Sequence, residues 1–475
     1  MTPRFRTLTV FVAIGLLILA CGFAAAGAHS PGAEIGNDMI VTAAPVYVPL
    51  AELRGQERFP KGAQLLLIHA GKAEPLVSGF AASADANVSF DAQTVLFAGK
   101  RNAGDPWQIW ELTLTDRSVR KVITTAADAE RPLYLPGGRM VWAQRTAAGF
   151  QLQSAEDGHP MDHTPWNPTA GPGTLPLSYL GGNAFPADVL HDGRILFEAG
   201  YPLGKGSTPE LYLVYADGSG VESVRCDHGH ARWGGTQLAS GDVIFTKGGS
   251  LARFTSPLAH EEQVEAPQAA YAGTIAELPS GAWLLSMRAA ADAHYIIMSW
   301  QPGSAHMRTV LAQSGQNLIE PVLVAPRSRP NRHPSGLHPW DYANLLALDA
   351  RVSRDGPLRG VPASVRLESQ DATGHARTMG TAPVERDGSF FVQVPSDRAI
   401  RFALLDAKGT VLRQERGWFW IRSGEQRICA GCHAGPERAP ENRVPEVLLR
   451  STTPANLTGK PPASELNALA GGRSR

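Results

Sequence analysis

From about residue 40 to residue 326 the chain repeats one short arrangement, in which a Gly- or Asp-bearing turn is followed at once by a strongly apolar stretch. It reads FDAQTVLFAG from Phe90, LPGGRMVWAQ from Leu135, LHDGRILFEA from Leu190, LASGDVIFTK from Leu238 and LPSGAWLLSM from Leu278, at intervals of 40 to 55 residues. Short apolar runs bounded by turn residues read as strands. A period near 45 residues built from strands is the signature of β-propeller blades. Residues 86–124 hold four such stretches, at 87–90, 94–98, 108–114 and 119–123, separated by Gly, Asp or Asn turns, which suits one four-stranded antiparallel blade. Similar strands occur as ELYLVY from Glu210 and YIIMSW from Tyr295, with a half blade at 63–77. The five motifs and their leading strands predict about six blades over 38–326. MIVTAAPVYVP from Met39 and EPVLVA from Glu320 are placed to close the ring. A pair of β-sandwiches also repeats short strands, but would not regenerate the same turn and strand five times.

The rhythm breaks at VAPRSRPNRHPSGLHPWDYANLL, whose four prolines make 327–343 a linker or an ordered strap. Alternation in SFFVQV and turns at Asp387-Gly388 and Lys408-Gly409 then predict a small β domain over 344–450. The last stretch, 451–475, shows no periodic apolar face and is expected to be disordered.

Composition supports this picture. Of 475 residues 43% are hydrophobic and 19% charged, and 49 Gly with 36 Pro signal many turns and little long helix, so the fold class is mainly β. Lys plus Arg and Asp plus Glu balance at 44 each. There is no basic field to hold a polyanion, and no nucleic-acid partner is expected. Residues 1–28 carry Arg4 and Arg6, then an apolar run from Leu8, then small residues at Ala24, Ala26 and Ala28, the layout of a cleavable export signal. The run spans roughly 19 residues, so an uncleaved membrane anchor is the alternative; Cys21 also loosely fits a lipoprotein box. Either way the expected location is periplasmic or otherwise exported, with anchorage facing the periplasm as the second reading.

Beyond Cys21 the chain has three cysteines, Cys226, Cys429 and Cys432, too few for a disulfide framework. Two of them form CAGCH, Cys429 to His433. In C-x-x-C-H two thiols reach the vinyl groups of a haem and the adjacent histidine lies beneath the iron, so Cys429, Cys432 and His433 are the expected sites of one covalent haem c, with His433 on the iron. A structural zinc site needs about four ligands, and one chain lacks the cysteines for an all-cysteine version. A redox disulfide belongs at a helix start in a βαβ setting, which is not predicted here. The small Ala430-Gly431 pair suits close backbone approach to a porphyrin. Trp418, Phe419 and Trp420 are candidate neighbours of it or ordinary core residues.

Blades such as SFDAQTVLFAGKR…QIWELTL resemble those of TolB-like propellers. From LLALDAR through VERDGSFFVQVP and RFALLDAKG to RGWFWIRSGEQRICAGCHAGPERAPENRVP, the chain resembles the hydrazine synthase alpha subunit family, most specifically over 344–448. The resemblance implies a propeller and middle domain around a haem where small nitrogen compounds react. It carries Cys429 and Cys432 over as thioether residues and His433 as the motif histidine. The family's enzyme has a further haem domain, and a tyrosine four residues after that histidine contacts its iron; Glu437 stands here. His433 is therefore the expected axial ligand.

The function expected is that of an exported c-type haem protein with a redox role, either electron transfer to a partner such as another cytochrome or small-molecule chemistry at one haem. The alternatives are a hydrazine-synthase-like enzyme on small nitrogen compounds and a propeller-based binding, assembly or sensing module. Cys226, His228 and His230, at i, i+2 and i+4, would share one face of a strand and are candidates for contact with haem or an additional metal ion. His333 and His338 in the strap are further candidates.

Overall fold

The computed structural model describes residues 38–156, 174–204, 206, 208–225, 227–255, 259–353, 356–371, 374–431, 439 and 441–460. The expected export signal, residues 1–28, lies outside them. Among the described residues no helix is long and apolar enough to cross a membrane.

Each of the five turn motifs forms the hairpin between the first and second strands of a four-stranded antiparallel sheet. In blade 2 the strands are Ala82–Val88, Thr94–Lys100, Gln108–Thr113 and Val119–Ile123. The turn is local chemistry: the amide of Gly193 donates to the Leu190 carbonyl at 2.8 Å, and Gly241 and Gly281 repeat the bond to Leu238 and Leu278. Gly193 sits at φ 84°, a conformation glycine adopts without steric cost. Second strands such as Ile195–Tyr201 are buried along nearly their whole length, because neighbouring blades cover both faces.

The sixth blade lacks the motif because its strands come from opposite ends of the propeller segment. Asn317–Val324 pairs with Asp38–Ala44, and Gln64–His69 and Lys72–Pro75 complete the sheet. We number it blade 1. Closure by terminal strands ties the ring together.

The inner strands share a bulge. Register shifts at Ala84/Asn87, Glu130/Leu133, Trp233/Thr236 and Ala272/Ala276 accompany positive φ at Asp85, Arg131, Gly234 and Gly273, and Glu320 does the same in blade 1. A bulge re-aims the side chain it carries. Here Asp85, Arg131 and Glu320 join a buried charge network closed by the loop between Asp38–Ala44 and Gln64–His69. From that loop Arg58 reaches Glu320 at 2.8 Å, Glu52 at 3.5 Å and Asp85. Arg131 pairs with Glu52 and, at 3.0 Å, with Glu198, whose other oxygen accepts the Gly234 amide at 2.6 Å. Burial, with Asp85 nearby, pushes the Glu130 carboxyl up to about 8.

After Val324 the strap runs over the propeller. The Arg327 amide donates to the Phe90 carbonyl at 3.0 Å and Asn331 to His191 at 3.2 Å, so it crosses the first hairpins of blades 2 and 4. Ser335 then bonds Asp217 at 2.7 Å in the 215–220 hairpin of blade 4.

Two four-stranded sheets follow, which we call the module. One contains Gln426–Cys429, Tyr342–Ala347, Phe390–Pro395 and Ala455–Asn456 in spatial order; the other contains Ala376–Pro383, Ser364–Gln370, Ile400–Leu405 and Val411–Gln414. They pack through Leu345, Val365, Leu367, Val392, Phe402 and Leu404. The expected disorder from residue 451 needs correction for its first ten residues. Ala455–Asn456 pairs in parallel with Val392 and Gln393, and Leu457 is buried in the module core. A two-residue strand is too short to show a period in sequence.

Candidate functional site: a cleft between the module and blade 4

Blade 4 comprises Ala184–Val189, Ile195–Tyr201, Thr208–Val214 and Glu222–Ser223. The module grips it at both ends. At one end the Trp418 amide donates to the Leu203 carbonyl at 2.8 Å. Gly417 is so close there that a Cβ would stand 2.7 Å from the Leu203 nitrogen.

At the other end Arg422, Trp420 and Glu425 hold the 215–220 hairpin. Arg422 donates Nε to the Asp217 carbonyl at 2.9 Å and Nη1 to Asp397 at 2.5 Å, and also contacts the Tyr179 hydroxyl. Trp420 is fully buried and its Nε1 donates to the Gly218 carbonyl at 2.8 Å. Glu425 accepts the amides of Gly220 at 3.2 Å and Arg422 at 2.9 Å.

Between the grips blade 4 has an outer strand of only two residues, and the unfilled edge leaves a cleft of about 670 Å³. That is the size of a pocket for a small ligand or cofactor. Its module wall includes Leu345, Ala347, Phe390, Phe402 and Ile428; the propeller wall includes Leu203, Tyr212 and Val221; Trp418 and Phe419 also line it. Of the aromatic run, then, Trp418 and Phe419 reach the cleft, while Trp420 serves the interface core.

Cys429, Ala430 and Gly431 form part of this wall. Cys429 ends the edge strand, and its carbonyl accepts the Leu348 amide at 2.9 Å. Burial pushes its thiol up in pKa, against the opposing pull of Arg427. It is therefore protonated near neutral pH. Gly431 has a packing reason beyond any porphyrin: a Cβ there would lie 2.8 Å from the Val352 Cβ and 3.0 Å from the Val352 carbonyl. Cys432, His433 and Glu437 lie outside the described residues, as does Cys226.

The chain returns from the motif to the same corner. Asp387 accepts the Glu446 amide at 2.8 Å and the Ser389 hydroxyl at 2.6 Å, and pairs with Arg443. Burial alone would raise the Asp387 carboxyl, but these donors outweigh it and hold it at about 2. A carboxyl depressed in the folded state contributes stability above its unfolded pKa, about 3.9, and loses it as pH falls through the folded value. Asp387→Asn is therefore expected to destabilise the protein at neutral pH, with the difference from the parent shrinking between pH 4 and 2. Denaturant midpoints across that range check it; a constant difference would exclude the ionised form as the source.

The histidine candidates separate. His228 lines the cleft and stacks on Tyr201 with centroids 4.5 Å apart. His230 is exposed, with its amide on Glu210 at 2.8 Å. The expected common face of His228 and His230 is thus corrected. Residues 227–231 form no strand, and Gly229 at φ 90° breaks the alternation on which that face depended. His333 lines the cleft against Tyr215, at 4.0 Å between centroids, while His338 stacks on Trp340. Among the described residues no group of three or more His, Cys, Asp or Glu could hold a metal ion. Tyr201, Arg416 and Arg427 also line the cleft; nothing in their local sequence marks them.

Residues 337–434, which include CAGCH, match the family model of the hydrazine synthase alpha subunit middle domain. Among solved structures, hydrazine synthase from Kuenenia stuttgartiensis is similar at a TM-score of 0.73 and 16% identity, covering 87% of this chain and 71% of that one. TolB from Acinetobacter baumannii aligns at a TM-score of 0.43 and 11% identity, over 61% of this chain and 67% of that one. A search of curated protein sequences finds no match. Residues 337–434 are thus similar to the hydrazine synthase alpha subunit middle domain, and they follow a six-bladed β-propeller.

Proposed function

We propose that this chain is an exported c-type haem protein with a redox role, whose haem lies in the cleft between the module and blade 4. The observation that carries the reading is the position of Cys429, the first residue of CAGCH, in the wall of a cleft of about 670 Å³ that aliphatic and aromatic side chains line together with charged ones. The walls fit a porphyrin in size and chemistry, with large flat and aliphatic side chains on both sides. Cys429 and Cys432 would hold the haem through thioethers and His433 would ligate its iron. Bound haem supplies one-electron redox chemistry, and small-ligand binding wherever an axial position is open.

The chain's own residues set the surroundings. Leu203, Val221, Phe390 and Phe402 give the cleft apolar surface on both walls. Arg427 lies against Cys429 and donates to the Val221 carbonyl, tying the motif strand to the propeller. His228 and His333 put two imidazoles within the same cleft, which supports electron transfer if one binds iron and small-molecule chemistry if neither does. The partner proposed for electron transfer is another redox protein. Hydrazine-synthase-like chemistry on small nitrogen compounds is the second reading, supported by the shared scaffold; a scaffold alone does not fix the reaction.

The test is direct. Denatured parent protein should keep a haem-stained band that Cys429→Ser with Cys432→Ser loses; a band surviving in the double variant would refute the attachment. Carbon monoxide should leave the ferrous spectrum of a six-coordinate carrier unchanged and shift that of an open site.

A further inference from the structure

We propose that Tyr201 of blade 4 and Arg416 of the module form a binding site for a small oxyanion or carboxylate at one end of the cleft. The site exists only because the two parts are docked. Trp418 bonded to Leu203, and Gly417 pressed against Leu203, bring residues 416 and 201 together. Arg416 Nη1 lies 3.5 Å from the Tyr201 hydroxyl oxygen. Arginine can only donate in that contact, so the phenol proton is directed elsewhere. The Tyr201 ring is backed by the His228 imidazole, nearly parallel at 12°. Stacking on that side holds the plane of the ring.

Charge supports the assignment. Among the described residues no carboxylate lies within ion-pair distance of Arg416, whereas Arg427, the other cation lining the cleft, is already bonded to the Val221 carbonyl. The cleft carboxylates Glu425 and Glu222 are engaged, the first by two amides and the second by Arg194 at 2.7 Å. Glu415 acts electrostatically on Cys429, in the motif wall. A guanidinium and a phenol converging from two walls match a group with two acceptor oxygens, which neither would hold as well alone.

One chemistry has two sources here, a propionate of haem held in the cleft or a free anion. The first form rests on the haem reading above, and the second does not. The experiment uses the full haem-loaded chain with Tyr201→Phe and Arg416→Gln, nitrite as the free-anion probe, and a potentiometric titration as the probe of a propionate. For a free anion, nitrite affinity falls about tenfold in either variant, about 1.4 kcal/mol, while the midpoint potential stays put. For a propionate, nitrite binding is unchanged and the potential and its pH dependence shift in both variants. Parent-like nitrite affinity and potential in both variants would overturn the site. Haem content is measured first. If covalent haem is absent the haem reading fails, yet nitrite titration followed by calorimetry still tests the pair.

Discussion

Arg58→Ala is expected to lower the unfolding free energy by about 3–5 kcal/mol, the usual cost of removing one partner from a buried ion pair. Its side chain is 3% exposed and serves Asp85, Glu52 and Glu320. Without it, three carboxylates, from the loop between Asp38–Ala44 and Gln64–His69, from blade 2 and from Asn317–Val324, face one another with Arg131 as the remaining buried cation of the network. Arg131 is itself committed to Glu52 and Glu198. The loss should ease on acidification, as Glu320, whose carboxyl burial already pushes up, protonates. Urea unfolding at pH 7.5 and pH 5 measures both effects. A loss under 1 kcal/mol at both pH values would mean that the network is hydrated rather than sealed.

Trp420→Ala should cost about 3–5 kcal/mol, as large-to-small changes of buried aromatics do. It should also change the shape of the transition. Trp420 is fully buried against Phe197 and Tyr179, and its Nε1 bond to Gly218 joins module to blade. Its removal weakens the grip beside the hairpin while leaving both cores' own strands intact. Thermal unfolding followed by scanning calorimetry should then show two midpoints where the parent shows one. Coincident midpoints in the variant would mean that the module does not depend on this contact.

The propeller was readable because its repeat is written in local chemistry. Leu190 and Gly193 make their turn within four residues, and Leu238 with Gly241 makes it again. The blade without the motif was readable only through its two end strands, since pairing between Asp38–Ala44 and Asn317–Val324 leaves no short-range signal. The charge network was not legible. Asp85, Arg131 and Glu320 look like ordinary surface charges in strands until their shared positive φ turns them inward. The site was half legible. The spacing of CAGCH singles out Cys429 as a candidate, but the opposite wall comes from Tyr201, Val221 and His228, some 200 residues away in sequence. The His228 and His230 pairing failed for a related reason: spacing predicts a face only where the backbone is regular, and Gly229 makes it irregular.

The strap has a further consequence, in concentration. Through Asn331 and Ser335 it holds the module against blade 4, so the two walls of the cleft meet at an effective concentration on the order of millimolar. A single cut within 327–341 would remove no cleft wall, yet would turn their meeting into a second-order encounter. The cleft of a clipped molecule would then form or fall apart with dilution, which an intact chain never experiences.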